Sequence, residues 1–239
     1  NLLFRIILKN LLLFSFFSCK VNIMIGILNY NAGNIKSVER ALDFLKTKYI
    51  LSDNPKDFTE CDKLIFPGVG DATYAMKQLE LTGLDSFIKD WALAKKPLLG
   101  ICLGSQIIFD YSEEGDTKCL GLIPGQIKKF ENVLKDNPDN LKIPHMGWNN
   151  ISYINGGCQL FNSIPKDSNF YFVHSYVIQP DDFSVVKGIA NYGIDVPSCI
   201  QKENIYAFQF HPEKSGMYGL KLLQNYCSGK IDSNGELSC

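Results

Sequence analysis

The chain has 239 residues, enough for one large domain or a closely joined pair. Lys plus Arg number 24 and Asp plus Glu 25, a formal net charge of −1, which excludes the concentrated cationic surface that a general nucleic-acid binder needs. Hydrophobic residues at 46% and charged residues at 21% exclude a disordered chain and fit a soluble globular protein.

Residues 1–23 differ from the rest. Arg5 and Lys9 flank the start of the run Leu11-Leu12-Leu13-Phe14-Ser15-Phe16-Phe17, which closes at Ser18-Cys19. That is the outline of a secretory signal, although the run is short for a transmembrane helix. Upstream sequence translated in frame has the same outline, since Met24 directly precedes a strand-like run. On either view residues 1–23 are expected to be an extension outside the domain.

Met24-Ile25-Gly26-Ile27-Leu28 predicts a buried strand. Asn34 is placed to cap a helix whose Ile35, Val38, Leu42 and Leu45 recur at three- and four-residue steps. Lys63-Leu64-Ile65-Phe66 predicts a second buried strand, stopped by Pro67-Gly68. Helical patterns follow over 72–80 and 84–94. Pro97-Leu98-Leu99-Gly100-Ile101 reads as a third strand, and Gln106-Ile107-Ile108-Phe109 as the start of another helix. Strands alternating with helices imply crossover units and a parallel sheet covered on both faces.

From there the pattern changes. Residues 127–130, 150–154, 170–173, 184–190 and 205–210 are strand-like, with Gly, Pro and Asn between them. Several of these are expected to pair antiparallel and to extend or flank the sheet. A last helix places Met217, Leu220, Leu223 and Cys227 on one face, and residues 228–239 read as a loose polar tail. The expected fold class is α/β: one domain over residues 24–227, with a mostly parallel central sheet, flanking helices and additional antiparallel strands in its second half.

Eight cysteines stand at 19, 61, 102, 119, 158, 199, 227 and 239, with no C-x-x-C pair. That spacing excludes a zinc ribbon or thioredoxin-like motif, and the scatter points to reduced thiols and a cytoplasmic protein. His145, His174 and His211 lack the short spacing of zinc ligands, so no metal is expected.

Gly100-Ile101-Cys102-Leu103-Gly104 falls where a strand meets a helix, the cysteine form of a nucleophile elbow. Glycines two before and two after make room for a tight turn, and the helix start favours the thiolate. A glycine-rich crossover with a buried thiol has the same sequence. His211-Pro212-Glu213 supplies what a thiol nucleophile needs, a base and a group to orient it; taken alone, it is equally a solvated turn. Pro67-Gly68-Val69-Gly70 follows a strand at the same carboxyl edge. Its backbone N–H groups, with that of Leu103, can face a developing oxyanion, though it is also a simple Pro-Gly turn. Glu113, Glu114 and Asp116 read as a solvated acidic loop.

Gly100-Ile101-Cys102-Leu103-Gly104-Ser105-Gln106 together with His211-Pro212-Glu213-Lys214-Ser215 resembles the class I, triad-type glutamine amidotransferases. Asn29-Tyr30-Asn31-Ala32-Gly33-Asn34, Pro144-His145-Met146-Gly147-Trp148-Asn149 and His174-Ser175-Tyr176 are similar to the glutaminase subunits of imidazole glycerol phosphate synthases. The resemblance spans residues 24 to about 226. Ser105 departs from it, since a larger residue such as Met is usual there.

The resemblance implies glutamine as substrate and no cofactor. Cys102 attacks the side-chain amide, His211 manages the protons and Glu213 fixes its tautomer. Gly68, Val69, Gly70 and Leu103 would form the oxyanion site. Gln106, His174 and Ser175 would hold the glutamine, and Trp148 and Tyr171 would lie at a subunit interface or ammonia exit. The implied partner is a (β/α)8-barrel cyclase subunit in a heterodimer, serving histidine biosynthesis, with no nucleic acid or membrane involved. Three rivals stand beside it: the same chemistry serving a surface-sugar pathway, a stand-alone cysteine hydrolase of this fold, and a non-catalytic module. An intact Cys102, His211 and Glu213 speaks against the last.

Overall fold

The computed structural model describes residues 23–31, 35–134, 140–231 and 237–238. The extension over 1–22, the cap expected of Asn34, and residues 232–236 and 239 of the expected tail lie outside the described residues. The first half alternates as the apolar runs require: β1 (Met24–Leu28), α1 (Ile35–Phe44), β2 (Lys48–Ser52), β3 (Lys63–Gly68), α2 (Ala72–Thr82), α3 (Leu84–Leu93), β4 (Leu98–Cys102) and a short α4 (Leu103–Gln106). The Asp71 side chain accepts from the Tyr74 N–H and caps α2, and Gly83 ends it. The second half adds β5 (Tyr111–Ser112), β6 (Thr117–Lys118), β7 (Gly125–Lys129), α5 (Phe130–Val133), β8 (His145–Asn150), β9 (Ser152–Tyr153) and β10 (Asn169–His174). After these come β11 (Tyr176–Pro180), β12 (Val186–Asn191), β13 (Asp195–Lys202), β14 (Ile205–Phe208) and α6 (Gly216–Ser228). Beyond α6, β15 (Lys230–Ile231) pairs antiparallel with β16 (Leu237–Ser238).

Eight strands form the central sheet in the order β2-β1-β3-β4-β14-β13-β12-β9. The contacts from β2 to β14 are parallel and those from β14 to β9 antiparallel, as the change of pattern along the sequence predicts. A smaller sheet, β11-β7-β5-β6, and the hairpin-like pair β10-β8 flank it. Both faces are covered because successive side chains of a strand point opposite ways. Leu64 and Phe66 pack with Leu79, Ile88 and Trp91 of α2 and α3, while Ile65 packs with Val38 and Leu42 of α1 and Leu222 of α6. A one-residue slip of β3 would put each on the wrong face, at about 2 kcal/mol per buried side chain.

Four expectations need correction. β3 does not stop at Pro67-Gly68: its ladder with β1 ends at Ile65, but that with β4 continues through Pro67 and Gly68. The helix expected to begin at Gln106 ends there. The carbonyls of Ile107, Ile108 and Phe109 accept instead from the N–H groups of Leu120, Leu122 and Gly121. Met217 is 81% exposed, and α6 buries Gly219, Leu222, Leu223, Tyr226 and Cys227. The helix approaches the Pro212–Lys214 turn through Gly219, which turns Met217 away. Finally, β2, β11 and β13 were not anticipated; β2 is an edge strand, half-buried along most of its length.

Candidate active site

The carboxyl ends of β3 and β4 lie side by side, with Gly68 opposite Cys102, where open α/β sheets place their ligands. At Cys102 the backbone takes φ 54°, ψ −112°. A non-glycine residue held there costs about 1–3 kcal/mol and persists only under constraint from its surroundings. The constraint is close packing. A Cβ at residue 104 would sit 1.9 Å from the Phe66 carbonyl oxygen, and one at residue 100 would sit 2.7 Å from that of Gly104. Glycine at both positions lets α4 start immediately under the sulfur. Ser105, the departure from the family pattern, donates its hydroxyl to the Cys102 carbonyl at 2.6 Å, which satisfies a buried acceptor at the turn. The Cys102 thiol faces the Val173 carbonyl at 3.8 Å and is 7% exposed.

His211 arrives just after β14, its N–H donating to the Tyr171 carbonyl at 2.9 Å. Ser215 fastens the same turn, donating to the His211 carbonyl at 2.6 Å and accepting from the Tyr171 N–H at 2.9 Å. The imidazole Nδ1 lies 2.8 Å from Glu213 Oε1, with both side chains almost wholly buried. Its Nε2 has no hydrogen-bond partner of ordinary geometry, yet Cys102 acts on it electrostatically. Burial pulls the imidazole pKa down, but Cys102 and Glu213 outweigh it and raise the value to about 10. The imidazolium is thus the favoured form of His211.

A cavity of about 280 Å³ opens between these groups. Val69, Gly70, Leu103, Gln106, His174 and Ser175, all singled out from sequence, line it with Cys102 and His211. Gly68 lies buried behind the lining, where a Cβ would meet the Tyr30 hydroxyl at 2.3 Å. Trp148 and Tyr171 stand outside it as a cross-strand pair of β8 and β10, ring centroids 6.0 Å apart. Trp148 is 59% exposed and is not part of the core. Tyr171 lies 6.5 Å from the His211 ring.

Two residues of the site escaped the sequence. Glu114 is not a solvated acid: it is half-buried, lines the cavity and accepts from the Ala72 N–H at 2.8 Å. Burial raises its pKa, against the Ala72 hydrogen bond. Gln209, wholly buried, accepts from Gln106 Nε2 at 2.9 Å. His145 and His174 hydrogen-bond to each other at 2.9 Å. Burial lowers their pKa values to about 4 and about 3. Among the described residues no group of three His, Cys, Asp or Glu side chains is arranged to hold a metal ion, and no helix is long and apolar enough to cross a membrane.

The family profile of class-I glutamine amidotransferases matches residues 27–227. The chain belongs to that family. Among curated relatives, the imidazole glycerol phosphate synthase subunit HisH of Geobacillus sp. (strain WCH70) is 45% identical, the match covering 90% of this chain and 100% of that protein. The HisH of Methanocaldococcus jannaschii is also 45% identical, over 85% of this chain and 98% of its own length. This amidotransferase therefore sits with the HisH subunits. A crystal structure of a glutamine amidotransferase superposes with a TM-score of 0.65 at 17% identity, covering 85% of this chain and 98% of the other. The structure of PurLQS from Thermotoga maritima gives 0.62 at 17% identity, over 84% of this chain and 96% of the matched one. These two establish a common α/β fold.

Proposed function

We propose that this amidotransferase hydrolyses glutamine to glutamate and ammonia and delivers the ammonia to a cyclase subunit of an imidazole glycerol phosphate synthase, in histidine biosynthesis. The observation that carries the proposal is a cysteine at a strained strand-to-helix turn, φ 54°, beside a buried His211–Glu213 pair at 2.8 Å. The Cys102 thiolate adds to the side-chain amide carbon. The N–H groups of Leu103, Val69 and Gly70 take the oxyanion charge; Gly68, behind the lining, only supports them. His211 gives its Nε2 proton to the departing nitrogen, so ammonia leaves and a thioester forms. Water, deprotonated by the same imidazole, releases glutamate and regenerates Cys102. Glu213 keeps Nδ1 protonated throughout. Glu114 is the only carboxylate among the described residues lining the cavity. Together with Gln106 Oε1, it suits the substrate's ammonium group.

The partner is a (β/α)8-barrel protein, as the resemblance to HisH subunits implies. Met146 and Trp148, 60% and 59% exposed on β8, with Lys214 Nζ 6.0 Å from the Tyr171 ring centroid, offer it a face next to His211. The six described cysteines are buried and free, which suits a reducing cytoplasm. Residues 24–227 are the catalytic domain. A chain of residues 24–230 is accordingly expected to fold and work as the full chain does, and aggregation of that truncation alone would assign the extension to the domain.

The test measures glutamate release by the full chain, alone and with the barrel partner plus its nucleotide ligand. Strong stimulation supports the proposal. Cys102→Ala is expected to abolish glutamine-dependent synthesis and leave synthesis from added ammonia intact. Loss of both activities would make Cys102 structural, and turnover indifferent to the partner would favour a stand-alone hydrolase.

A further inference from the structure

Two imidazoles that take no part in the proton transfers form a directed chain of hydrogen bonds into the cavity wall. His174 Nδ1 lies 2.7 Å from the Tyr176 carbonyl. A carbonyl only accepts, so Nδ1 carries the proton and Nε2 of the neutral ring is an acceptor. The atom facing that Nε2 at 2.9 Å is His145 Nδ1, which must therefore be the donor. His145 Nε2 is left to accept, and Asn149 Nδ2 stands 3.4 Å from it while donating to the Asn191 carbonyl at 2.8 Å. The His145 ring cannot turn away. It is stacked between Phe172, centroids 4.6 Å apart at 19°, and Tyr192, 4.1 Å at 21°. At the far end, the Tyr176 carbonyl also receives Gln106 Nε2 at 3.3 Å, whose other hydrogen goes to Gln209 at 2.9 Å. With its donors committed, Gln106 can offer a ligand only its Oε1.

We propose that His145 is a positioning residue of the glutamine site: its Nδ1–H holds the His174 ring, and with it the His174–Tyr176 wall of the cavity, in the geometry that binds substrate. The proposal rests on the reading of this cavity as the glutamine site. His145 does not line the cavity itself; it acts through His174. A buried acceptor left without its donor destabilises the arrangement that depends on it, so the effect falls on substrate binding more than on the chemical step.

The test uses the full chain with its cyclase partner. His145→Phe keeps a flat ring between Phe172 and Tyr192 but has no donor. It is expected to raise KM for glutamine about tenfold while kcat stays within about threefold. His145→Asn, with an amide N–H near the place of Nδ1, is expected to recover most of that loss. An unchanged KM in His145→Phe, or an Asn variant no better than Phe, overturns the proposal. Nitrogen-15 spectra of histidine-labelled wild-type chain test it without activity: His145 and His174 are both expected as Nδ1–H tautomers, and His145 found as Nε2–H overturns it. A wild-type chain that releases no glutamate even with the cyclase would fail the amidotransferase reading instead, and the spectra decide the relay in either case.

Discussion

His211 and Glu213 stand two residues apart in sequence and meet at 2.8 Å, Nδ1 to Oε1, with both side chains almost completely buried. Pro212 between them starts a short 3-10 turn that brings the carboxylate back toward the ring. Burial lowers the His211 pKa, while Cys102 and Glu213 raise it to about 10. Glu213→Gln removes one raising partner and no longer fixes the tautomer, so the pKa falls. Glutaminase kcat/KM is expected to drop about 10³-fold, with the alkaline limb of its pH profile displaced to lower pH. A variant of undiminished activity, or one whose alkaline limb stays in place, would show that Glu213 does not orient the base.

Glu114 is expected to hold the substrate's ammonium group. Glu114→Gln keeps an oxygen for the Ala72 N–H, which the carboxylate now accepts at 2.8 Å, and removes only the charge. A hydrogen bond to a charged group is worth about 1.5–3 kcal/mol, so KM for glutamine should rise about 10- to 100-fold with kcat little altered. Since burial raises the Glu114 pKa, wild-type KM should also rise as pH falls toward that value. Steady-state kinetics at two pH values settle both points, and a KM indifferent to the substitution would remove Glu114 from the binding site.

The turn at Cys102 depends on Gly104 more than on any hydrogen bond. An alanine there would bring its Cβ to 1.9 Å from the Phe66 carbonyl oxygen, a backbone atom of a central strand that has no room to retreat. Gly104→Ala is expected to destabilise the fold by about 3 kcal/mol or more, a fall in Tm of about 10 °C for a chain of this size. Ser105→Ala loses only the 2.6 Å bond to the Cys102 carbonyl, about 1–2 kcal/mol. Thermal melts of the two variants would rank them, and a Gly104→Ala protein as stable as the wild type would contradict the packing at the elbow.

What could be read from the sequence was local. Gly100, Cys102 and Gly104 announce the turn because its sterics need glycines at fixed offsets, and His211-Pro212-Glu213 announces an imidazole–carboxylate pair because both lie within one turn. Glu114 gave no such signal: its partner is a backbone N–H 42 positions away, and beside Glu113 and Asp116 it looks like any solvated acid. Gln209, between Phe208 and Phe210, looks like an ordinary strand residue, and only the fold brings it to Gln106. The buried strands β1, β3 and β4 were legible because all their side chains are apolar or small apart from Lys63. The edge strand β2 was not, being half-buried and without alternation. Two-residue strands such as β5 and β6 are defined by their neighbours alone.

The paired histidines also predict how the fold responds to acid. Burial holds His145 and His174 neutral, with pKa values lowered to about 4 and about 3, against about 6.5 in the unfolded chain. Below 6.5 the unfolded state therefore binds protons that the folded state does not, and stability falls as pH falls. It is fully present above about 6.5 and lost progressively toward 4 and below. Between pH 6 and pH 5, where few carboxylates titrate, each histidine contributes a slope approaching about 1.4 kcal/mol per pH unit. His145→Asn removes one of the two, so its stability should decline about half as steeply on this account while its value at pH 8 changes less. Denaturant midpoints of wild type and variant at pH 8, 6 and 5 measure the difference. Parallel declines would mean that His145 is protonated in the folded protein as readily as in the unfolded chain, and the neutral hydrogen-bonded chain from Asn149 to Tyr176 could not then exist.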